Sequence, residues 1–327
     1  MEKELIKTGV NYNKVVIIGC GFVGSASAFA LMQSGLFAEM VLIDANKDKA
    51  DGEAHDISHG IPFTRPMRIY AGDYDDVADA GLIIITAGAN QKPDETRLDL
   101  VHKNISIFGS IIPEIVKRDF PGILLVVANP VDILTYTALK LSGYPENRVI
   151  GSGTVLDSAR LKARLGRHLA VDSRSVHAFI VGEHGDSEIA AWSSANISGI
   201  PLDEFCEMRG HYNHVESTER IAEEVKESAY DIIAKKGATY YGIAMSVKRI
   251  CEAIVRDEKS ILPISTMMHG EYGIQDVVLS MPCIIGKDGY ETKVPIMLDQ
   301  EEVTALHASA STLKKVLEDA FPSQDQK

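Results

Sequence analysis

The sequence predicts an α/β chain: a doubly wound parallel sheet of six strands, followed by a second domain of α+β type. Three observations predict it. Six short runs rich in branched residues recur through the first half: KVVIIG (14–19), MVLID (40–44), MRIYAG (67–72), LIIIT (82–86), ILLVVA (123–128) and RVIG (148–151). Most of them are continuously apolar rather than alternating, as strands covered on both faces of a parallel sheet must be. Helical patterns lie between several of them, and such an alternation winds as right-handed crossovers onto one sheet.

Past Gly151 the texture changes. Helical stretches at 154–167, 216–236 and 239–257 are joined by strand-like runs at 175–182, 261–267 and 276–285, and 299–319 reads as a closing amphipathic helix. No Pro/Gly/Ser linker divides the halves, so we set the boundary at 152/153 and expect the second domain, 153–327, to pack directly on the first. Residues 1–13 form an N-terminal arm, and the polar tail SQDQK is expected to fray.

Composition narrows the function. A chain of 327 residues fits about two domains and needs no staples to bury a core. The net charge of −13, from 46 acidic and 33 basic residues, argues against nucleic acid and anionic membranes as partners. No run approaches the ~18 apolar residues of a membrane helix. The start, MEKELIKTGV, lacks the apolar core of a secretory signal. Cys20, Cys206, Cys251 and Cys283 are scattered without a C-x-x-C pair, which suits a reducing cytoplasm.

The first strand runs into GCGFVG, a G-x-G-x-x-G at Gly19, Gly21 and Gly24, and a helical pattern follows. In a Rossmann-type fold the first glycine allows the turn, the second lets a pyrophosphate approach, and the third lets the helix pack on the strand. The phosphates would rest on the amides of the helix N-terminus. Asp44 ends the second strand 20 residues after Gly24, where an acid accepts from both ribose hydroxyls of NAD and repels the 2′-phosphate of NADP. The competing reading of Asp44 is a solvated turn residue. A P-loop signature is absent from the sequence.

Three further segments carry charge in unusual company. QKPDETRLDLV (91–101) reads as a polar surface loop bearing Arg97, which in isolation is a solvated arginine. In TVLDSARLKARLGR (154–167), Asp157 and Arg160 share a helix face, and the plain reading is an ion pair of about 0.2–0.5 kcal/mol. In VHAFIVGEHGDSE (176–188), His184 follows an apolar strand with no H-E-x-x-H or paired spacing, so a metal site is not expected. His211 and His214 lie in a polar stretch and read as solvated. Together the segments hold what hydride transfer to a 2-keto acid needs. Those parts are a guanidinium fork for the carboxylate, an imidazole to protonate the oxygen, and a carboxylate to orient that imidazole. A second cation on a closing loop would polarise the carbonyl.

GCGFVG, VLID, ITAGANQKPDETRLDLV, VANPVD, GSGTVLDSARL, GEHGDSE and KGATYYGIA, spread over residues 13 to 320, are specific in combination. By them the chain resembles the lactate/malate dehydrogenase family, on its bacterial lactate-oxidising side. The resemblance implies NAD-dependent interconversion of pyruvate and L-lactate in fermentation and glycolysis, the L stereochemistry resting on it alone. It implies His184 as proton donor and acceptor, Asp157 as its orienting carboxylate, Arg160 as the carboxylate fork and Arg97 on the mobile loop. Asn129 would bond substrate oxygen and help place the nicotinamide. Val23, Lys49, Tyr74, Gly88, Ala89, Ser110 and Ser152 match positions along the NAD groove, beside Asp44 and the glycines.

Gln91 stands where family members acting on malate carry arginine, so a dicarboxylate would lack a partner; Thr239 matches the residue bounding the methyl end of pyruvate. Malate or a broader range of L-2-hydroxyacids is the alternative. A dinucleotide-binding relative without activity would be free to lose His184, Asp157, Arg160 or Arg97, and all four are present. Two positions depart from the bacterial pattern. Asp94 replaces the glycine that usually follows the loop proline, which bears on loop closure. Lys162 replaces the arginine that, with a histidine (His177 here), holds fructose 1,6-bisphosphate across a subunit interface. Both a weakened activator site and a plain basic patch are compatible with that pair. The resemblance also implies a homotetramer.

Overall fold

The computed structural model describes residues 10–89 and 96–321. Its first half runs β1 (Asn11–Ile18), α1 (Phe22–Ser34), β2 (Glu39–Ile43), α2 (Lys47–Ser58), β3 (Arg68–Ala71) and β4 (Ala80–Ile85), then α3 (Arg97–Val116), β5 (Ile123–Val126), α4 (Val131–Ser142) and β6 (Val149–Gly151). The six strands pair in parallel in the order β3-β2-β1-β4-β5-β6. The strand order reverses between β1 and β4, and such a switch point opens a crevice at the carboxyl ends of the strands.

Strand periodicity explains the double winding. Successive side chains of β1 point to opposite faces. Val15 and Ile17 join a core with Leu31 of α1 and Ala54 of α2, whereas Val16 and Ile18 join one with Phe108 of α3 and Leu134 of α4. All four β1 side chains are at most 2 % exposed, so each contributes about 1.5–3 kcal/mol by burial.

The second half runs α5 (Val155–Leu169), β7 (Val176–His177), β8 (Ile180–Gly182), β9 (Glu188–Ala190), β10 (Asn196–Ile197), β11 (Ile200–Pro201), α6 (Leu202–Met208), α7 (His214–Lys236) and α8 (Tyr241–Val255). It closes with β12 (Ser260–His269), β13 (Gln275–Gly286), β14 (Gly289–Lys293) and α9 (Gln300–Ala320). The sheet does not stop at β6. Ser265 of β12 pairs with Gly151, and β13, β8 and β9, with β14 beside β13, extend the sheet antiparallel to eleven strands among the described residues. Helix α8 packs on the first half through Val247, Ile250 and Ile254, in the same core as Leu31.

Two local expectations are corrected. The run 175–182 is two strands, because β7 pairs with β10 in a small separate sheet while β8 joins the large one. His211 and His214 are half-buried rather than solvated. The His211 ring lies 4.3 Å from that of His168, and Nδ1 of His214 is buried without a hydrogen-bond partner. Among the described residues no helix is long and apolar enough to cross a membrane.

Candidate active site

The glycine loop sits at the switch point, and its three glycines meet three different surroundings. Gly19 has φ +104°, and a Cβ there would lie 2.5 Å from the Ala87 nitrogen. A Cβ on Gly24 would lie 1.9 Å from the Gly19 carbonyl oxygen, so α1 could not approach β1 with any other residue there. Around Gly21, the N-cap of α1, a Cβ would meet nothing within 4 Å, and no side chain caps the helix. The loop is therefore pinned at its two ends and open in the middle, where bare helix amides face outward. That opening suits a pyrophosphate.

Asp44 follows β2 and is fixed by backbone. Its Oδ2 accepts from the Cys20 amide at 2.7 Å and its Oδ1 from the Asn46 amide at 2.9 Å. It borders a cavity of about 460 Å³ whose charged lining is five aspartates, Asp44, Asp48, Asp51, Asp73 and Asp76, against one cation, Lys47. These residues fit the ribose end of a dinucleotide, and the acidic lining is unfavourable to a further phosphate.

The other positions that the resemblance assigns to the NAD groove differ in placement. Val23 is half-buried on α1 and Lys49 exposed on α2. Tyr74 is half-buried against the α3 side of the sheet, with the Arg118 guanidinium 5.8 Å from its ring centroid; burial raises its phenol pKa. Gly88 and Ala89 follow β4, and Ser152 is buried after β6 with its amide on the Val126 carbonyl at 2.8 Å. Ser110 points outward on α3, its hydroxyl donating to the Ile107 carbonyl at 2.7 Å. One residue ties these turns together that sequence reasoning missed. Asn104, fully buried on α3, accepts from the Ala89 amide at 2.7 Å and donates to the Asn129 carbonyl at 2.8 Å. Its signal was a lone amide at a core position of an otherwise apolar helix face.

His184 is held both at its backbone and at its ring. His184 lies in the turn of the β8–β9 hairpin, which Gly182 enters at φ +89°. Its amide donates to Oδ2 of Asp132 on α4 at 2.8 Å, and the Ser265 hydroxyl of β12 donates to Oδ1 of the same carboxylate at 2.6 Å. Its Nδ1 lies 2.6 Å from Oδ2 of Asp157, whose Oδ1 accepts from Arg160 at 2.8 Å. The intrahelical pair and the imidazole contact thus coexist on one carboxylate, itself 1 % exposed. Asp157 stands in the first turn of α5, where the helix dipole favours an anion.

Electrostatics follow from that packing. Burial opposes charge on Asp157, but His184 and then Arg160 outweigh it and hold its carboxyl below the usual range. Burial likewise pulls His184 down, while Asp157, Asp132 and Glu188 together push it up to about 9. Asp132 is raised by burial to about 6, opposed by its bonds to Ser265 and His184. Sequence reasoning missed Asp132 too, although an acid inside the apolar run ANPVDIL marked it.

Of the remaining predicted residues, Thr239 is half-buried between α7 and α8, beside Tyr240, whose ring stacks on Phe22 of the glycine loop at 5.3 Å. Gln91, Asp94 and the side chain of Arg97 lie outside the described residues. Lys162 is half-buried on α5 with Nζ 5.5 Å from the Phe179 ring centroid, and desolvation lowers its pKa. His177 is exposed on β7.

Comparison with known proteins agrees with this architecture. Residues 13–151 match the lactate/malate dehydrogenase NAD binding domain, and residues 154–324 match the alpha/beta C-terminal domain of the same family. An L-lactate dehydrogenase of Acetivibrio thermocellus is 55% identical over 304 residues, 93% of this chain and 96% of the relative. L-lactate dehydrogenase 1 of Clostridium acetobutylicum is 52% identical over 94% of this chain and 98% of its own. The crystal structure of minor L-lactate dehydrogenase from Enterococcus mundtii in its ligands-bound form superposes with a TM-score of 0.92 at 43% identity, covering 97% of this chain and 100% of that one. With both halves matched in order and relatives above half identity, the chain belongs to the lactate/malate dehydrogenase family.

Proposed function

We propose that the chain is an NAD-dependent L-lactate dehydrogenase that reduces pyruvate to (S)-lactate and runs in reverse, regenerating NAD in fermentation and glycolysis. The observation that carries this reading is the Asp157-bridged pair, with His184 on one oxygen at 2.6 Å and Arg160 on the other at 2.8 Å. When bound, NADH supplies the hydride for the carbonyl carbon.

The chain's own residues do the rest. Arg160 binds the substrate carboxylate, with its side chain 14 % exposed and its geometry set by Asp157. Nδ1 of His184 faces Asp157, which leaves Nε2 to carry the proton delivered to the carbonyl oxygen. Asp157 stabilises the imidazolium before that transfer and orients the neutral ring after it. Asp132 fixes the backbone of His184. Arg97 polarises the carbonyl as the loop closes, Asn129 bonds substrate oxygen, and Thr239 bounds the methyl end.

Gln91 favours a monocarboxylate, since a second carboxylate would find no cation there. The curated relatives are L-lactate dehydrogenases, which weighs against the malate alternative. A cytoplasmic homotetramer with domains divided at 152/153 is part of the proposal. So is weakened activation by fructose 1,6-bisphosphate at Lys162 and His177, because lysine keeps the charge but loses the bidentate fork. The test is NADH absorbance with pyruvate against oxaloacetate, at low and high sugar bisphosphate. Rapid turnover of pyruvate alone supports the reading; preference for oxaloacetate refutes it.

A further inference from the structure

The Asp157–His184 pair has a third neighbour that the reaction above does not use. Glu188 opens β9 directly opposite Gly182, so the hairpin that presents His184 also turns this acid inward. Glu188 is 6 % exposed and its Oε1 has no hydrogen-bond partner. Donor atoms of Asp157, His184 and Glu188 all lie within 4.8 Å of one another. A buried carboxylate with an unused acceptor is costly as an anion, and a second carboxylate this near adds repulsion. The groups that act on it are Asp157 and Arg160 from α5, His184 from the hairpin and Lys226 from α7; Asp132 of α4 acts on His184 in turn.

We propose that Glu188 is a positioning residue that stands as a neutral carboxylic acid beside the Asp157–His184 pair and, on ionising, keeps the imidazole protonated into the alkaline range. Burial and then Asp157 push its carboxyl up to about 8, with His184 opposing. Below that point Asp157 and the imidazolium balance each other, and the Arg160 cation remains for a monoanionic substrate. Above it the new carboxylate offsets the tendency of His184 to lose its proton. Reduction uses the imidazolium, so Glu188 extends reductive turnover to higher pH. This inference rests on the proposed pyruvate reduction.

The experiment is the pH profile of pyruvate reduction by the full chain and by Glu188→Gln and Glu188→Asp. Glutamine keeps the shape but cannot ionise, so the alkaline limb moves to lower pH. On the far side of that limb kcat/KM falls roughly tenfold, as a pKa lower by about 1 requires. The onset of lactate oxidation moves down by the same amount, and Glu188→Asp restores much of the limb. Difference infrared spectra across the limb supply a readout independent of turnover. The wild type shows a protonated-carboxyl band that disappears with rising pH and is missing in Glu188→Gln. An unmoved limb in Glu188→Gln, or no such band in the wild type, overturns the inference. Wild-type protein that shows the band but does not reduce pyruvate would instead overturn the functional reading. If Glu188→Gln fails to fold, Glu188→Asp and the wild-type band still decide.

Discussion

Within the glycine loop, residues 18 to 46 supply many of the contacts themselves, Gly24 against Gly19 and Asp44 against Cys20 and Asn46, and the turn after β4 adds Thr86 and Ala87 against Ile18 and Gly19. His184 instead draws on Asp157 at its ring, on Asp132 at its amide and, through Asp132, on Ser265, positions 27, 52 and 81 residues away in the chain. The first region is governed by backbone sterics at adjoining strand ends, the second by side-chain hydrogen bonds that only the finished fold brings together. The two therefore should fail differently. A change in the loop should disturb cofactor binding or stability, while a change around His184 should spare cofactor binding and remove chemistry.

The largest expected effect is on chemistry. Asp157→Asn keeps the size of the side chain but removes the charge that stabilises the imidazolium and favours the productive tautomer. Pyruvate reduction should fall by about 10²- to 10⁴-fold, with NADH affinity, read by quenching of protein fluorescence, nearly unchanged. A parallel loss of NADH binding would show that the two regions are less separate than their contacts imply.

The loop can then be divided within itself. Gly24→Ala forces a Cβ to within 1.9 Å of the Gly19 carbonyl oxygen, so it should destabilise the fold by more than the usual ~1 kcal/mol of a point substitution and lower the Tm clearly. Gly21→Ala places its Cβ in open space. Its Tm should stay near that of the wild type while NADH binding weakens by about tenfold, or ~1.4 kcal/mol. If both variants melt alike, the open middle of the loop is not reserved for a ligand.

The same contrast explains what was legible in the sequence. Gly19, Gly21, Gly24 and Asp44 lie at fixed spacings because backbone geometry sets those spacings, and periodicity exposed the buried strands. His184, Asp157 and Arg160 were each ambiguous alone, since nothing local distinguishes an oriented imidazole from a solvated one; the family resemblance joined them. Asn104 and Asp132 went unread because their roles are long-range hydrogen bonds inside apolar helices. The extension of the sheet through Ser265 and Gly151 is a single antiparallel contact between distant segments, which no window on the chain reveals.

A third prediction turns on protonation. His184 rises to about 9 in the folded chain from an ordinary value of 6.5. Its contribution to stability is therefore fully present below about pH 6.5 and lost as pH rises through about 9, on the order of 3 kcal/mol in all. Urea midpoints taken at pH 6 and pH 10 should show that loss in the wild type and a smaller one in Asp157→Asn. Reduction should fade over the same alkaline interval in which lactate oxidation grows, because the two directions use opposite forms of the ring. Equal pH dependence of stability in both proteins would separate the imidazole's charge from Asp157.

The smallest expected effect tests the edge of the cofactor groove. By resemblance Ser110 lines that groove, yet its side chain is exposed and its hydroxyl already donates to the Ile107 carbonyl of its own helix. A serine that bonds back along its helix contributes little elsewhere and slightly weakens the helix. Ser110→Ala should therefore change NADH affinity by less than about twofold and leave Tm the same or slightly raised, since alanine is the better helix former by a few tenths of a kcal/mol. A loss near tenfold, about 1.4 kcal/mol, would mean that the hydroxyl leaves Ile107 when the cofactor binds. In that case α3 takes part in recognition, and the local character assigned to the cofactor region holds only for its glycine end.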